Sequence, residues 1–359
     1  MTTYYILYLS YGCFYILFSK VVLFNDGRKI RAWLYGSILF LLIAFRHPSM
    51  GIDLGYGGIG YLSDFQFLSS LSFSEICKLG HYIHYEPGYI WFNWTLGLLF
   101  GSDYQVLLIA CAFISLVPIA YLFYKESVSL ELSYIIYISL QSFLICFSGL
   151  RQGMAVGICA LSYFFILRHK PVKFACTVFA ASLIHSSAIL FFIAYPAYYI
   201  RIPKKYRWQT LLLVFFVFVF KYPLFAIFSK LLKAHAIATE ASGGTFFVVF
   251  CFVYLFCFLF AEDNEKNNGL LNLTLLACLC LAFTEIYSTA MRASYCFLNI
   301  TPLILPIAIR HIHNENFKLV CQIIVILAFA LLGLNALSSS SWSGSNPYLF
   351  FWESRSAYI

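Results

Sequence analysis

The sequence predicts an all-α polytopic integral membrane protein of about twelve transmembrane helices plus a re-entrant segment, with ordered outer loops. Three observations predict it. Of the 359 residues, 62% are hydrophobic and the mean hydropathy is +0.83. Charged residues are 11%, against roughly 25% in soluble domains. A soluble fold has no core large enough for that much apolar surface. Third, the apolar runs alternate with short loops that carry most of the 23 lysines and arginines, as orientation signals do.

The elements follow in order, all in one membrane domain, 1–359. Tyr4 to Leu23 is a first span, kept because no basic n-region or cleavage site marks a signal peptide. The basic loop Asn25-Asp26-Gly27-Arg28-Lys29-Ile30-Arg31 sets its far end inside. A run ending at Phe45 returns outward. Residues 46–87 form the first outer loop, with Gly51 to Tyr61 and then Asp64, Glu75 and Lys78. Its glycines resemble a phosphate cradle only weakly, since no Lys-Ser/Thr follows; flexible turns explain them as well. Gly88 to Phe100 is short and reads as a re-entrant or tilted half-span.

Spans then run Tyr104 to Phe123, Leu132 to Phe147 and Arg151 to Leu167. The turn Arg168-His169-Lys170-Pro171 is basic and hence inside, which sets Arg151 outside. Phe174 to Ile200 exceeds the ~20 residues of one span. We split it at His185-Ser186-Ser187; an unsplit helix would put the basic loop Arg201 to Arg207 outside. Residues 221–245 form a second outer loop carrying Lys230, Lys233 and His235. Four further spans, Phe246 to Ala261, Leu270 to Thr289, Ala293 to Ile309 and Leu319 to Leu337, turn at Glu262-Asp263, at Glu285 to Arg292 and at Arg310, and lead to a Ser-rich outer tail.

Polar islands on the outer side make the candidate site. Ser148-Gly149-Leu150-Arg151-Gln152-Gly153 lies between apolar runs, His185-Ser186-Ser187 one span later, and Arg292 beyond. An arginine at the bilayer centre costs about 2.5–3.5 kcal/mol, so Arg151 belongs at a helix end or a wet cavity. Arg46, Arg151 and Arg292 together form a cationic pocket suited to phosphate oxygens. Asp53, Glu86, Gln152, Glu285 and Tyr295 lie near the same level. The plainer alternatives are that each arginine snorkels to headgroups, that Glu86 and Glu285 only pair with the arginines, that His185 is a satisfied interface histidine, and that outer tyrosines such as Tyr56, Tyr61 and Tyr82 form an aromatic belt.

Several chemistries are not indicated. No Asp-x-Asp, His-Glu-x-x-His or Gly-x-Ser-x-Gly motif occurs, so no metal site and no cofactor is expected. The charge of +8 is dispersed rather than clustered, so no nucleic acid partner is expected. Most of the 12 cysteines sit inside apolar runs as small hydrophobes.

The chain resembles the EpsG family, within the Wzy-type polysaccharide polymerases. The residues that carry the resemblance are Arg46 with Gly51-Ile52-Asp53, Glu86-Pro87, Gly149-Leu150-Arg151-Gln152-Gly153-Met154-Ala155, Leu183-Ile184-His185-Ser186-Ser187-Ala188, Arg292 with Tyr295, and Asn346-Pro347-Tyr348. The resemblance implies a bacterial inner-membrane glycosyltransferase, active on the periplasmic face. It would join undecaprenyl-diphosphate-linked repeat units into an O-antigen or exopolysaccharide, alongside membrane lipids and a chain-length regulator. Arg46, Arg151 and Arg292 would offset the leaving diphosphate in place of a metal. His185, with a reference pKa of about 6.5, is the favoured base over Glu86. Other classes remain open: a lipid-linked oligosaccharide flippase, an O-antigen ligase or a membrane acyltransferase.

Overall fold

A computed structural model describes residues 2–19, 27–79, 84–232, 243–338 and 344–353. The expectations for Asn25, Asp26, Tyr82, Lys233, His235 and the start of the Ser-rich tail lie outside them. The chain is helical: α1 (Thr2–Ser19), α2 (Gly27–Ala44), α3 (Tyr61–Ser70), α4 (Phe73–Lys78), α5 (Pro87–Phe100), α6 (Tyr104–Glu126), α7 (Leu130–Ile138), α8 (Gln141–Ser148) and α9 (Leu150–Leu167). Then come α10 (Pro171–Ile184), α11 (Ala194–Tyr199), α12 (Arg207–Val219), α13 (Lys221–Leu232), α14 (Gly243–Phe260), α15 (Glu265–Leu281), α16 (Ser288–Leu298), α17 (Thr301–Arg310) and α18 (Glu315–Ser338). No strand occurs among the described residues.

Among the described residues three helices, α6, α9 and α18, are long and apolar enough to cross a membrane. The number rises to six if each of three bent pairs is one span, so by this criterion it stays below the expected twelve. The reason is that many segments are broken. α7 and α8 bend by 55° at Ser139–Leu140, α16 and α17 by 47° at Asn299–Ile300, and α12 and α13 by 77° at Phe220. Only the last break lies at a charged residue, Lys221.

The helices place the polar loops at two ends. At one end Arg31 pairs with Glu131 (2.6 Å), Lys266 with Glu126 (2.7 Å) and His311 with Glu262 (3.3 Å). There Arg28 also donates to Tyr124 O (2.9 Å). These are the loops read as inner from their charge. At the other end lie Arg46, Arg151, His185 and Arg292. α9 occupies the middle, packed on α6, α8 and α10, and is largely buried.

Within 46–87, the segment read as the first outer loop, the described residues hold α3 and α4. Both ends of α5 stay at the Arg151 end. Glu86, its N-cap, meets Arg151, and shortly after Phe100 Gln105 of α6 donates to Ala44 O. α5 therefore does not cross, in keeping with a half-span. The run Phe174–Ile200 breaks at His185, whose backbone is extended (φ −151°). A 3₁₀ segment, Ser186–Ile193, and α11 then lead back to the basic end, where Asn272 donates to Ile200 O (2.7 Å).

Candidate active site

Arg151 stands in the first turn of α9, just after Gly149, the single residue between α8 and α9. Its Nε donates to the Tyr61 hydroxyl (3.2 Å), and one terminal nitrogen donates to Glu86 Oε2. The guanidinium lies 4.5 Å from the Tyr85 ring centre and 5.7 Å from that of Tyr61. Those two rings stack at 5.8 Å, and the Tyr85 hydroxyl donates to Asp64. An aromatic wall and a carboxylate thus hold Arg151 in one orientation.

Glu86 joins this arginine to His185. Its Oε1 accepts the Ser186 backbone N–H (2.8 Å) and lies 3.4 Å from His185 Nδ1. The approach depends on Gly88, where a Cβ would meet Leu183 O at 2.7 Å, so any side chain would push α5 off the end of α10. Burial opposes the Glu86 charge. Proximity to His185, the Ser186 N–H, its own backbone N–H and Arg151 outweigh it and hold the carboxyl well below the usual range. Its proton affinity is correspondingly low. His185 is 8% exposed, and neither ring nitrogen has a hydrogen-bond partner. At 3.4 Å the Nδ1 contact is an ion contact rather than a well-formed hydrogen bond. Buried polar side chains are ordinarily hydrogen-bonded, so the His185 ring is the unsatisfied group of the cluster among the described residues.

Arg292 and Asp53 border the same cluster. Burial raises the Tyr61 phenol pKa; Arg151 and Arg292 lower it and Asp53 raises it, so all three charges lie within reach of that hydroxyl. Both side chains are exposed, and neither has an ion pair among the described residues. Gln152 Nε2 donates to Arg292 O (3.0 Å) and so fixes α16 against α9. The Asp53 N–H is bonded to Ser148 Oγ (3.1 Å). Tyr295, one turn below Arg292, is buried.

A model of the EpsG family matches residues 32–350. The chain belongs to the EpsG family. Members of this family are Wzy-like polysaccharide polymerases, which makes a glycosyltransferase-like polymerase the coarse description of this membrane protein. No curated protein and no solved structure matches the chain.

The matched span ends in a segment that packs on Arg46. Phe350 pairs antiparallel with Arg46, His47 N–H donates to Leu349 O (2.8 Å) and Gly51 N–H to Gly344 O (3.2 Å). Gly51 needs to be glycine twice over: its φ is +120°, and a Cβ would lie 2.0 Å from Phe147 O.

Two expected site residues are placed elsewhere. Arg46 is fully buried, and its guanidinium donates to Ile43 O, Met50 O (3.3 Å) and Phe147 O (3.2 Å). Burial lowers its pKa to about 10, so it is still a cation at neutral pH. With all three of its nitrogens bonded to carbonyls and its side chain fully buried, it braces the loop. Glu285 pairs with Lys221 at the α12–α13 bend.

Tyr85 and Asp64 belong to the cluster and were passed over in the sequence. Tyr85 is adjacent to Glu86, which is the signal that could have found it. Tyr56 is exposed and meets His47 edge-on at 5.2 Å, apart from the Arg151 wall.

Proposed function

We propose that the Arg151–Glu86–His185 cluster is the reaction centre of a repeat-unit polymerase on the outer face of a bacterial inner membrane. The observation that carries the reading is Glu86. One carboxylate pairs with a phosphate-type cation and lies 3.4 Å from a buried imidazole, with Arg292, which has no ion pair among the described residues, alongside. The substrates are an undecaprenyl-diphosphate-linked oligosaccharide donor and a second such unit as acceptor, with bilayer lipids around and a chain-length regulator as a further partner.

In the proposed step the acceptor hydroxyl oxygen bonds to the donor's anomeric carbon with inversion. The bond from that carbon to the diphosphate breaks, and the bonding pair leaves with the diphosphate. Arg292 and Arg151 offset the developing charge. The hydroxyl proton passes to His185, while Glu86 orients the ring and offsets its charge.

The orientation rests on the positive-inside rule applied to the basic end. On that basis α1, α2, α6, α7–α8, α9, α10, Ser186–Tyr199, α12, α14, α15, α16–α17 and α18 are twelve crossings. α5 is then the re-entrant piece. The short crossings at α10 and Ser186–Tyr199 would sit in locally thinned bilayer.

The test uses the purified chain in vesicles supplied with the lipid-linked unit. We expect glycans of several repeats, released diphosphate-lipid, and loss of both with Arg151→Ala. Movement of intact units across the membrane with no longer glycan would instead indicate a flippase. For sidedness, the exposed Cys13, Cys77 and Cys176 are first replaced by serine. Asp53→Cys and Ser186→Cys should then react with an impermeant thiol reagent from outside, and Lys170→Cys and Lys205→Cys should not. The reverse pattern overturns the orientation.

A further inference from the structure

Beside the cluster lies a groove of about 340 Å³ whose surface is apolar. Its walls include Leu190 and Ile193 of the 3₁₀ segment, Phe225 of α13, Leu279 of α15, and Ala290 and Ala293 of α16. From Thr289 to Phe297 it runs along α16 for about 12 Å at 1.5 Å per residue. Small residues at 290 and 293 open the space. Two of its walls carry site residues at their outer ends. The 3₁₀ segment begins at Ser186, bonded to Glu86, and α16 carries Arg292.

α13 roofs the groove and is fastened there. The 77° bend turns it across the bundle. Lys221 pairs with Glu285 beyond α15, and the Phe225 ring meets Tyr287 at 5.4 Å. This gives Glu285 a role that its position in the sequence did not suggest.

We propose that this groove holds the head-proximal part of the donor's polyprenyl chain, with its diphosphate on Arg292 and Arg151. The inference rests on the polymerase reading for the donor's identity and adds where its lipid lies. The argument is charge complementarity. An apolar slot walled by the helix that carries an exposed arginine with no ion pair among the described residues fits an amphiphile with an anionic head. A larger groove of about 480 Å³ between α2 and α6 opens at Lys29 and Tyr124. That is the opposite end, away from Arg151, and a tail there would leave its head out of reach of the cluster.

The test is photolabelling of the full chain in nanodiscs by a polyprenyl diphosphate with a diazirine in its second isoprene unit. Adducts are expected on Leu190, Phe225, Ala290 or Ala293. Unlabelled polyprenyl diphosphate should suppress them and phosphatidylglycerol should not. Ala293→Trp should cut labelling by about tenfold by filling the slot. Ala293→Leu should cut it less, and keeps the test valid if the larger side chain prevents folding. Adducts in the α2–α6 groove or on the lipid face of α18, or equal competition by phosphatidylglycerol, overturn the proposal. Groove labelling in a chain that makes no polymer would retain the groove and discard the polymerase reading. Polymer with labelling elsewhere would do the reverse.

Discussion

Arg46 and Arg151 lie at the same end of the bundle, and the sequence offers them as equals. The structure treats them differently. Arg46 is fully buried and satisfied by three carbonyls. Arg151 is held by a carboxylate, a phenol and an aromatic wall, and its side chain stays 17% exposed. An arginine on carbonyls fixes backbone, since neutral acceptors leave its charge uncompensated but its donors used. An arginine on one carboxylate can share its fork with a phosphate. What a cation's donors find, rather than its depth in the membrane, separates a brace from a site.

The largest effect expected from this comparison is on Arg46. Arg46→Ala leaves three buried carbonyls unpaired at about 1–3 kcal/mol each, so at least about 3 kcal/mol of stability should be lost. Thermal unfolding in detergent and the yield of folded protein measure it. A variant that unfolds like wild type but makes no polymer would move Arg46 into the site.

Arg151→Lys keeps the charge and loses the planar fork. Turnover should drop by about 10²–10³-fold, the usual cost of removing a donor from developing charge, with little change in unfolding temperature. Near-normal turnover would make Arg151 a general anchor and erase the contrast.

The smallest effect is on acid stability. The folded pKa of Glu86 lies below its ordinary value of 4.5. Its contribution is therefore complete above that value and is lost as pH falls through it toward the folded pKa. The unfolding-temperature gap between wild type and Glu86→Gln should be constant above about pH 6 and narrow below about pH 4.5. A gap that widens in acid would mean that the carboxyl is held protonated, and Arg151 would lose its partner.

Much of the architecture was legible. The overlong apolar run from Phe174 and the basic loop after it located the break at His185, because charge and length are one-dimensional properties. The shortness of the run Gly88–Phe100 was legible for the same reason, and it forms the 14-residue helix α5. The breaks at Ser139–Leu140 and Asn299–Ile300 were not legible. No charge or glycine marks them; the polar residues there are neutral, Gln141-Ser142 at the first and Asn299 and Thr301 before Pro302 at the second, and the first apolar run reads straight through. Within the site, Arg151, Glu86 and His185 could be named from polarity. Their union through one carboxylate could not, since it depends on the close packing of Gly88 on Leu183. The pairing of Glu285 with Lys221 was not legible for a similar reason: no local pattern joins two residues 64 positions apart.

The measurement that tests the central claim most directly is single-turnover transfer by His185→Gln and Glu86→Gln across pH, with donor binding followed separately. The account predicts that His185→Gln binds donor normally, is slower by about 10²–10⁴-fold, and loses the acidic limb of the pH–rate profile. Glu86→Gln should retain that limb at reduced rate. If His185→Gln keeps the limb and only weakens donor binding, His185 is a ligand, and the account of the cluster as a proton-accepting centre is contradicted.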